Sequence, residues 1–78
     1  MKIFTLVCEN MIFVDNAIYM TYLFSKPFSD ADKAKAFAKK YIELENDWDD
    51  SYTWDSDGLY EYCDCGSLFF TIKSEELE

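Results

Sequence analysis

Apolar and polar positions alternate near the start of the chain in the pattern of β-strands. Residues 2–8 and 17–24 are rich in β-branched and aromatic side chains, and they predict two strands. Pro27 prevents the second strand from continuing as a central strand, because proline has no backbone N–H. The turn-prone residues between the strands leave two alternatives. We favour a long hairpin connection over 9–16, and the other possibility is a first strand that runs on to Val14 and turns tightly at Asp15 and Asn16.

A helical period follows over residues 30–45. Ser29 is a favoured N-cap residue, and Asp30 and Asp32 occupy the first turn, where the helix dipole favours anions. Apolar residues recur at the i, i+3, i+4, i+7, i+8 spacing of an amphipathic helix. These residues are Ala34, Phe37, Ala38, Tyr41 and Ile42. At about 1.5 Å per residue the helix is roughly 24 Å long, enough to lie across a small sheet.

The remainder of the chain predicts an acidic loop over 46–58 and a second hairpin. Its strands cover 59–63 and 68–73, and Gly66 supplies the positive φ that the turn over 64–67 needs. The turn should expose Cys65, and the last five residues should be frayed. The order β-β-α-β-β predicts an α+β fold in which one helix packs on an antiparallel sheet of about four strands. We expect a single domain over residues 1–78.

The predicted strands are apolar on both faces, whereas a single helix covers only one face of a sheet. In the first strand, for example, Phe4 and Leu6 point to one face and Ile3 and Val7 point to the other. Something should therefore cover the second face. The alternatives are a second copy of the chain, a different partner, or the acidic loop folded over the sheet.

Charge is distributed unevenly along the chain. Half of the residues are hydrophobic and 19% are aromatic, which excludes a disordered acidic tail, and the net charge is -9. Residues 1–40 contain six lysines and four acids, a net charge of +2, whereas residues 41–78 contain one lysine and twelve acids, a net charge of -11. This acidity excludes direct binding of nucleic acid, which depends on lysine and arginine.

The acidic residues are densest in the acidic aromatic region, residues 43–64, which has nine acids and no base. Tryptophan and tyrosine lie among these acids, and such rings are common anchors of protein interfaces. The alternative is a solvated acidic loop that only maintains solubility. We predict that the contacts to a partner come from Glu43, Glu45, Asp47, Trp48, Asp49, Asp50, Tyr52, Trp54, Asp55, Asp57, Glu61 and Asp64.

Residues suited to catalysis are scarce. The chain has no histidine, only two glycines, and no nucleophile with an evident base beside it, so we expect no enzymatic activity and no cofactor. Three cysteines, Cys8, Cys63 and Cys65, offer fewer N/S ligands than the four of a structural zinc site. We favour buried, reduced cysteines over a metal site.

A calcium loop is the other candidate metal site. Residues 53–64 resemble the register of an EF-hand, but Thr53 stands where the first aspartate belongs and Asp64 stands where a bidentate glutamate belongs. A strand is also predicted where the second helix of an EF-hand begins. We therefore expect no dedicated calcium site.

No segment approaches the length needed to span a membrane, and the apolar run after Lys2 is too short for the core of a signal peptide. We therefore expect a cytoplasmic protein without membrane contact.

In size, acidity and aromatic content the whole chain resembles the small acidic inhibitor proteins of bacteriophages and mobile elements. These include DNA-mimic antirestriction proteins and anti-CRISPR proteins. The resemblance includes no shared motif, so it assigns no functional residue. It implies a non-enzymatic inhibitor, in the host cytoplasm if phage-encoded, that blocks the nucleic-acid site of a basic partner. The partner would be a nucleic-acid-binding protein or a defence complex, bound through an acidic surface that imitates the charge of nucleic acid.

Two other functions fit the same sequence. The chain can be a small structural or interaction module, a homodimer joined through its exposed sheet face, with the acidic loop only conferring solubility. It can also be a regulator that holds another small protein through an exposed sheet edge.

Overall fold

The computed structural model describes residues 1–45, 52–58, 60–65 and 68–76. Its elements are β1 (Lys2–Val14), β2 (Ala17–Phe28), α1 (Ala31–Glu45), β3 (Asp55–Ser56), β4 (Tyr60–Cys65) and β5 (Leu68–Glu76). The strands form one antiparallel sheet in the order β2-β1-β5-β4-β3. This arrangement confirms the predicted α+β class. The sheet has five strands instead of about four, because the acidic loop contributes the short strand β3.

A two-residue turn joins β1 to β2. Val14 pairs with Ala17, and the residues between them, Asp15 and Asn16, have φ values of 48° and 66°. Both values lie in the left-handed region that Asp and Asn tolerate better than most residues, as a tight hairpin turn requires. The favoured long connection over 9–16 was therefore wrong, and the alternative with a strand extending to Val14 is confirmed.

Strand β2 is longer than predicted because it lies at the edge of the sheet. It continues through Pro27, which pairs with Thr5, and an edge strand tolerates the missing N–H. The pairing with β1 shifts where Cys8 opposes Phe24 while Glu9 opposes Tyr22. Leu23 is thus the extra residue of a β-bulge.

The amphipathic stripe of α1 is confirmed. Ala34, Ala38 and Ile42 are buried, and Phe37 and Tyr41 pack against the buried cluster. The predicted N-cap was wrong by one residue. Asp30 is the cap, because its carboxylate accepts a hydrogen bond of 2.7 Å from the backbone N–H of Lys33, which leaves Ser29 outside the helix.

The core lies between α1 and one face of the sheet. Phe70 is fully buried at its centre, with Cys8 of β1 and Cys63 of β4 as its partners on the adjacent strands. The full set of buried hydrophobic residues is Leu6, Cys8, Ala34, Ala38, Ile42, Cys63, Cys65, Leu68, Phe70 and Ile72. Every strand residue in this set points toward α1, so the other face of the sheet, here called the open face, is not covered by the helix.

The second hairpin extends further at both ends than predicted. Strand β4 reaches Cys65, which is only 7% exposed, so the predicted exposure of this cysteine was wrong. Cys65 lies on the covered side of the sheet, where its cross-strand partner is Leu68. Strand β5 reaches Glu76, whose carboxylate lies 3.5 Å from the N-terminal amine, so fraying does not begin five residues before the end. The proposed turn glycine, Gly66, lies outside the described residues.

The β1–β2 hairpin projects beyond the rest of the sheet. Strand β5 pairs with β1 only from Lys2 to Asn10 in the described part of the chain. Among the described residues, 11–20 therefore extend beyond the rest of the sheet. Together with the adjoining edge residues 21–23 they are here called the arm, and the molecule measures 45 × 24 × 21 Å along its principal axes.

Candidate acidic and aromatic interface

The strand registers bring acidic and aromatic side chains together on the open face. One row across the sheet contains Glu9 of β1, Phe69 of β5 and Asp64 of β4. The neighbouring row contains Tyr62 of β4, with Asp55 of β3 as its cross-strand partner. Residues that are cross-strand partners point to the same face. Three carboxylates therefore surround two aromatic rings.

The rings on the open face contact one another. Tyr62 and Phe69 are stacked, with centroids 5.9 Å apart and an angle of 22° between the ring planes. Tyr60 lies two residues from Tyr62 along β4, and the centroids of the two rings are 6.1 Å apart. All three rings are half-buried, so they have fixed neighbours but keep accessible surface. We call Glu9, Asp55, Tyr60, Tyr62, Asp64 and Phe69 the acid–aromatic face.

Negative charge around this face raises the pKa of one of its tyrosines. The charge of Asp57 and a hydrogen bond with its carboxylate raise the pKa of Tyr60. The backbone N–H of Asp57 also donates to the carbonyl of Tyr60 at 2.9 Å, which holds the two residues together at the β3–β4 connection. Asp55, Asp57 and Asp64 are all exposed. Lys73, which pairs with Tyr60, contributes a positive charge at one end of the face.

The arrangement suits an arginine side chain. A guanidinium can stack on an aromatic ring while it pairs with a carboxylate beside the ring. Lysine, a compact and strongly hydrated charge, uses the stacking surface less well. The acid–aromatic face therefore offers a cationic partner both charge and contact area.

Two of the predicted contact residues instead complete the core. Tyr52 and Trp54 are half-buried and pack against the buried cluster. The ring of Trp54 lies 6.4 Å from that of Phe70, and the ammonium of Lys35 lies 5.9 Å from the Trp54 ring. These contacts give both rings a structural role in the core.

Glu61 is also engaged within the molecule. Its carboxylate lies 2.7 Å from the ammonium of Lys35, and both side chains are partly shielded from solvent. Because Glu61 pairs with Ser56 and Ile72, it faces α1 instead of the open face. The ion pair connects the helix to β4 and neutralises one acid of the acidic aromatic region.

The other predicted contact residues are dispersed. Glu43 is exposed on α1, away from the acid–aromatic face, and Glu45 ends the helix. Asp47, Trp48, Asp49 and Asp50 lie outside the described residues. Of the twelve predicted residues, the structure thus brings Asp55 and Asp64 together on one face, with Asp57 at its edge.

Sequence reasoning missed three groups of this face as contact residues: Glu9, Phe69 and the tyrosine pair 60 and 62. Glu9 is remote in sequence from the acidic aromatic region and reaches the face only because β1 pairs with β5. The alternation in 59–63 and 68–73 placed Phe69 and Leu68 on different faces of the sheet. The sequence did not show the strand order that brings Glu9 beside Phe69.

The three thiols are buried and free of disulfide bonds. The Sγ atoms of Cys63 and Cys65 are 3.1 Å apart. Burial, with a smaller contribution from Glu9, raises the pKa of Cys8 to about 11, and burial also raises the pKa values of Cys63 and Cys65. Such thiols are weak nucleophiles near neutral pH. Among the described residues, no group of three histidine, cysteine or acidic side chains is arranged to hold a metal ion.

Within residues 1–45, 52–58, 60–65 and 68–76, no helix has the length and apolar character needed to cross a membrane. Comparisons with protein-family models, with curated proteins and with solved structures found no match to this chain.

Proposed function

We propose that this protein is a non-enzymatic inhibitor that binds a basic, nucleic-acid-binding protein or complex and occupies the surface where nucleic acid would bind. The observation that carries the proposal is the acid–aromatic face, where the carboxylates of Glu9, Asp55 and Asp64 lie around the stacked rings of Tyr62 and Phe69.

Nucleic acid presents two features to a protein that binds it: closely spaced negative charge and flat rings on which side chains stack. The acid–aromatic face supplies both on a rigid sheet. Rigid presentation favours affinity because little conformational entropy is lost on binding. Complementary charge speeds the encounter with a basic groove, and the rings contribute the contact area.

A pair of synthetic peptides tests whether the face recognises arginine. Fluorescence anisotropy would compare an arginine-rich peptide with a lysine-rich peptide of equal length and charge. We expect tighter binding of the arginine peptide, with affinity that falls as salt rises, because the rings add stacking to the Coulomb attraction. Equal affinity for both peptides, or binding insensitive to salt, contradicts the proposal.

Matched variants separate the face from the net charge. Asp55→Asn with Asp64→Asn removes two charges from the face, whereas Asp15→Asn with Glu43→Gln removes two exposed charges that lie away from it. The first pair should weaken arginine-peptide binding by at least tenfold, and the control pair should change it only slightly. Similar losses for both pairs would show that only total charge matters.

The second candidate is a homodimeric module in which the acids confer only solubility. It is favoured by the exposed apolar arm. The two candidates predict different results for a partner captured from the native host. If the acids take part in binding, Asp55→Asn with Asp64→Asn abolishes the capture. If they confer only solubility, the capture persists.

A further inference from the structure

The arm carries most of the large hydrophobic side chains that the described part of the chain exposes. Phe13 is 71% exposed and Tyr22 is 61% exposed, although both belong to the paired strands of the hairpin. Of the ten large hydrophobic residues that are exposed in the described part of the chain, eight lie in the arm: Ile12, Phe13, Val14, Ile18, Tyr19, Met20, Tyr22 and Leu23. A concentration of this kind marks a surface that binds another molecule.

In the described part of the chain, strand β2 also forms a long sheet edge with no strand beside it. From Ala17 to Ser25 it contains no charged residue and no proline. The opposite edge of the sheet, β3, is only two residues long, contains Asp55 and is followed by Asp57. Proteins protect free edges by shortness, charge and proline, and an edge without these features pairs readily with another strand.

We propose that β2 pairs antiparallel with β2 of a second copy of this chain, across a two-fold axis. An antiparallel pair of identical strands satisfies two-fold symmetry, because each copy offers the same surface to the other. The pairing would satisfy the outward-facing backbone groups of β2 and would bring the two arms against the partner copy.

Side chains beside the edge of β2 supply apolar area for such a dimer. Five of the eight exposed arm residues lie on β2 itself: Ile18, Tyr19, Met20, Tyr22 and Leu23. A large side chain has roughly 200 Å² of surface, and about half of it is exposed for these five, so they offer on the order of 500 Å² in addition to the backbone of the paired edge. Complexes of standard size bury about 800 Å² on each partner, and weaker ones bury less.

The charge distribution also favours a second copy. The β1–β2 hairpin is electrically neutral, because Lys2 and Lys26 balance Glu9 and Asp15. The acids Asp55 and Asp57 lie by the opposite sheet edge, four strand spacings away, or roughly 19 Å at about 4.8 Å per strand. This exceeds the Debye length of about 8 Å at physiological salt, so these two acids repel a second copy at β2 only weakly.

The dimer does not depend on the proposed inhibitory function. It would leave β4 and β3, which carry most of the acid–aromatic face, at the outer ends of a continuous ten-stranded sheet. Each dimer would then present two such faces.

Light scattering coupled to gel filtration tests the proposal on the full chain. We expect a mass of two copies at micromolar concentration, since interfaces of this size give micromolar or tighter dissociation constants. Ile18→Lys and Tyr19→Lys should each give a single-copy mass with an unchanged far-ultraviolet circular dichroism spectrum. Leu44→Lys is the control, because Leu44 is 81% exposed on α1, outside the arm, and this variant should stay dimeric.

Hydrogen exchange provides a measurement that needs no variant. In a free edge strand, roughly every second amide points to solvent and exchanges fast. Pairing of β2 with its copy should slow the exchange of those amides from Ala17 to Phe24. A monomeric wild-type protein, or a dimer in which alternate β2 amides still exchange fast, overturns the proposal. Loss of the dimer in Ile18→Lys but not in Tyr19→Lys overturns it as well, since only one face of the arm would then be in contact.

Discussion

Replacement of Trp54 by alanine tests whether this ring belongs to the core or to a binding surface. Trp54 lies in the acidic aromatic region, between acids in the sequence, yet it packs against Phe70 and the buried cluster. If the role of the ring is structural, its removal should reduce the free energy of unfolding, whether or not a partner is present.

The expected magnitude follows from the area that the ring buries. A half-buried tryptophan removes roughly 150 Å² from water, which at about 25 cal/mol per Å² corresponds to about 4 kcal/mol. This is an upper value, because unfolded chains already bury part of their apolar surface. We therefore expect a loss of about 2–3 kcal/mol. A 78-residue domain has a total stability of roughly 4–12 kcal/mol, so the variant should fold with a much smaller margin.

Urea denaturation followed by far-ultraviolet circular dichroism measures this loss without relying on the fluorescence of the ring that is removed. With an m-value of about 1–3 kcal/mol per M, the midpoint should fall by roughly 0.7–3 M. Asp55→Asn, at the adjacent and exposed position, is the control and should change stability by less than about 0.5 kcal/mol. A Trp54→Ala variant with wild-type stability and weakened arginine-peptide binding would refute the structural assignment.

Two further predictions concern the helix and the thiols. Asp30→Ala removes the cap of α1 and should lower the free energy of unfolding by about 0.5–2 kcal/mol in urea denaturation, whereas Ser29→Ala, outside the helix, should have little effect; equal effects would contradict the assigned cap. Because the folded protein holds the pKa of Cys8 at about 11 against 9.0 for a free thiol, its contribution to stability is complete below pH 9 and is lost as pH rises from 9 to 11. Cys8→Ala should make the decline above pH 9 shallower by up to about 1.4 kcal/mol per pH unit, and an unchanged slope would contradict the burial of the Cys8 thiol.

The fold class and the helix could be predicted because their signals are local. The stripe from Ala34 to Ile42 depends only on the helical period, and the strands depend on alternation. The β1–β2 turn was harder to predict, since the turn-prone residues over 9–16 allow either a long connection or a tight turn at Asp15 and Asn16. Its position at Asp15 and Asn16 is set by the cross-strand pairing of the residues on either side, which extends the ladder through the arm.

The acid–aromatic face could be predicted only in part, because it depends on strand order. Asp55 and Asp64 were found from the density of acids, which is visible in the sequence. The sequence does not show that β1 lies beside β5, so Glu9 could not be placed next to Phe69. The sheet divides the acids and rings that are neighbours in the sequence: Glu61 and Trp54 lie on the covered side, and Tyr62 lies on the open face.

The most direct test of the proposed function is competition with nucleic acid. Affinity capture with the wild-type protein from its native host, followed by mass spectrometry, supplies the partner. Binding of that partner to this protein is then measured at increasing concentrations of the nucleic acid that the partner normally binds. If the acid–aromatic face occupies the nucleic-acid site, the two ligands exclude each other, and Asp55→Asn with Asp64→Asn abolishes the exclusion. A stable complex that contains the partner, this protein and nucleic acid together would contradict the proposed function.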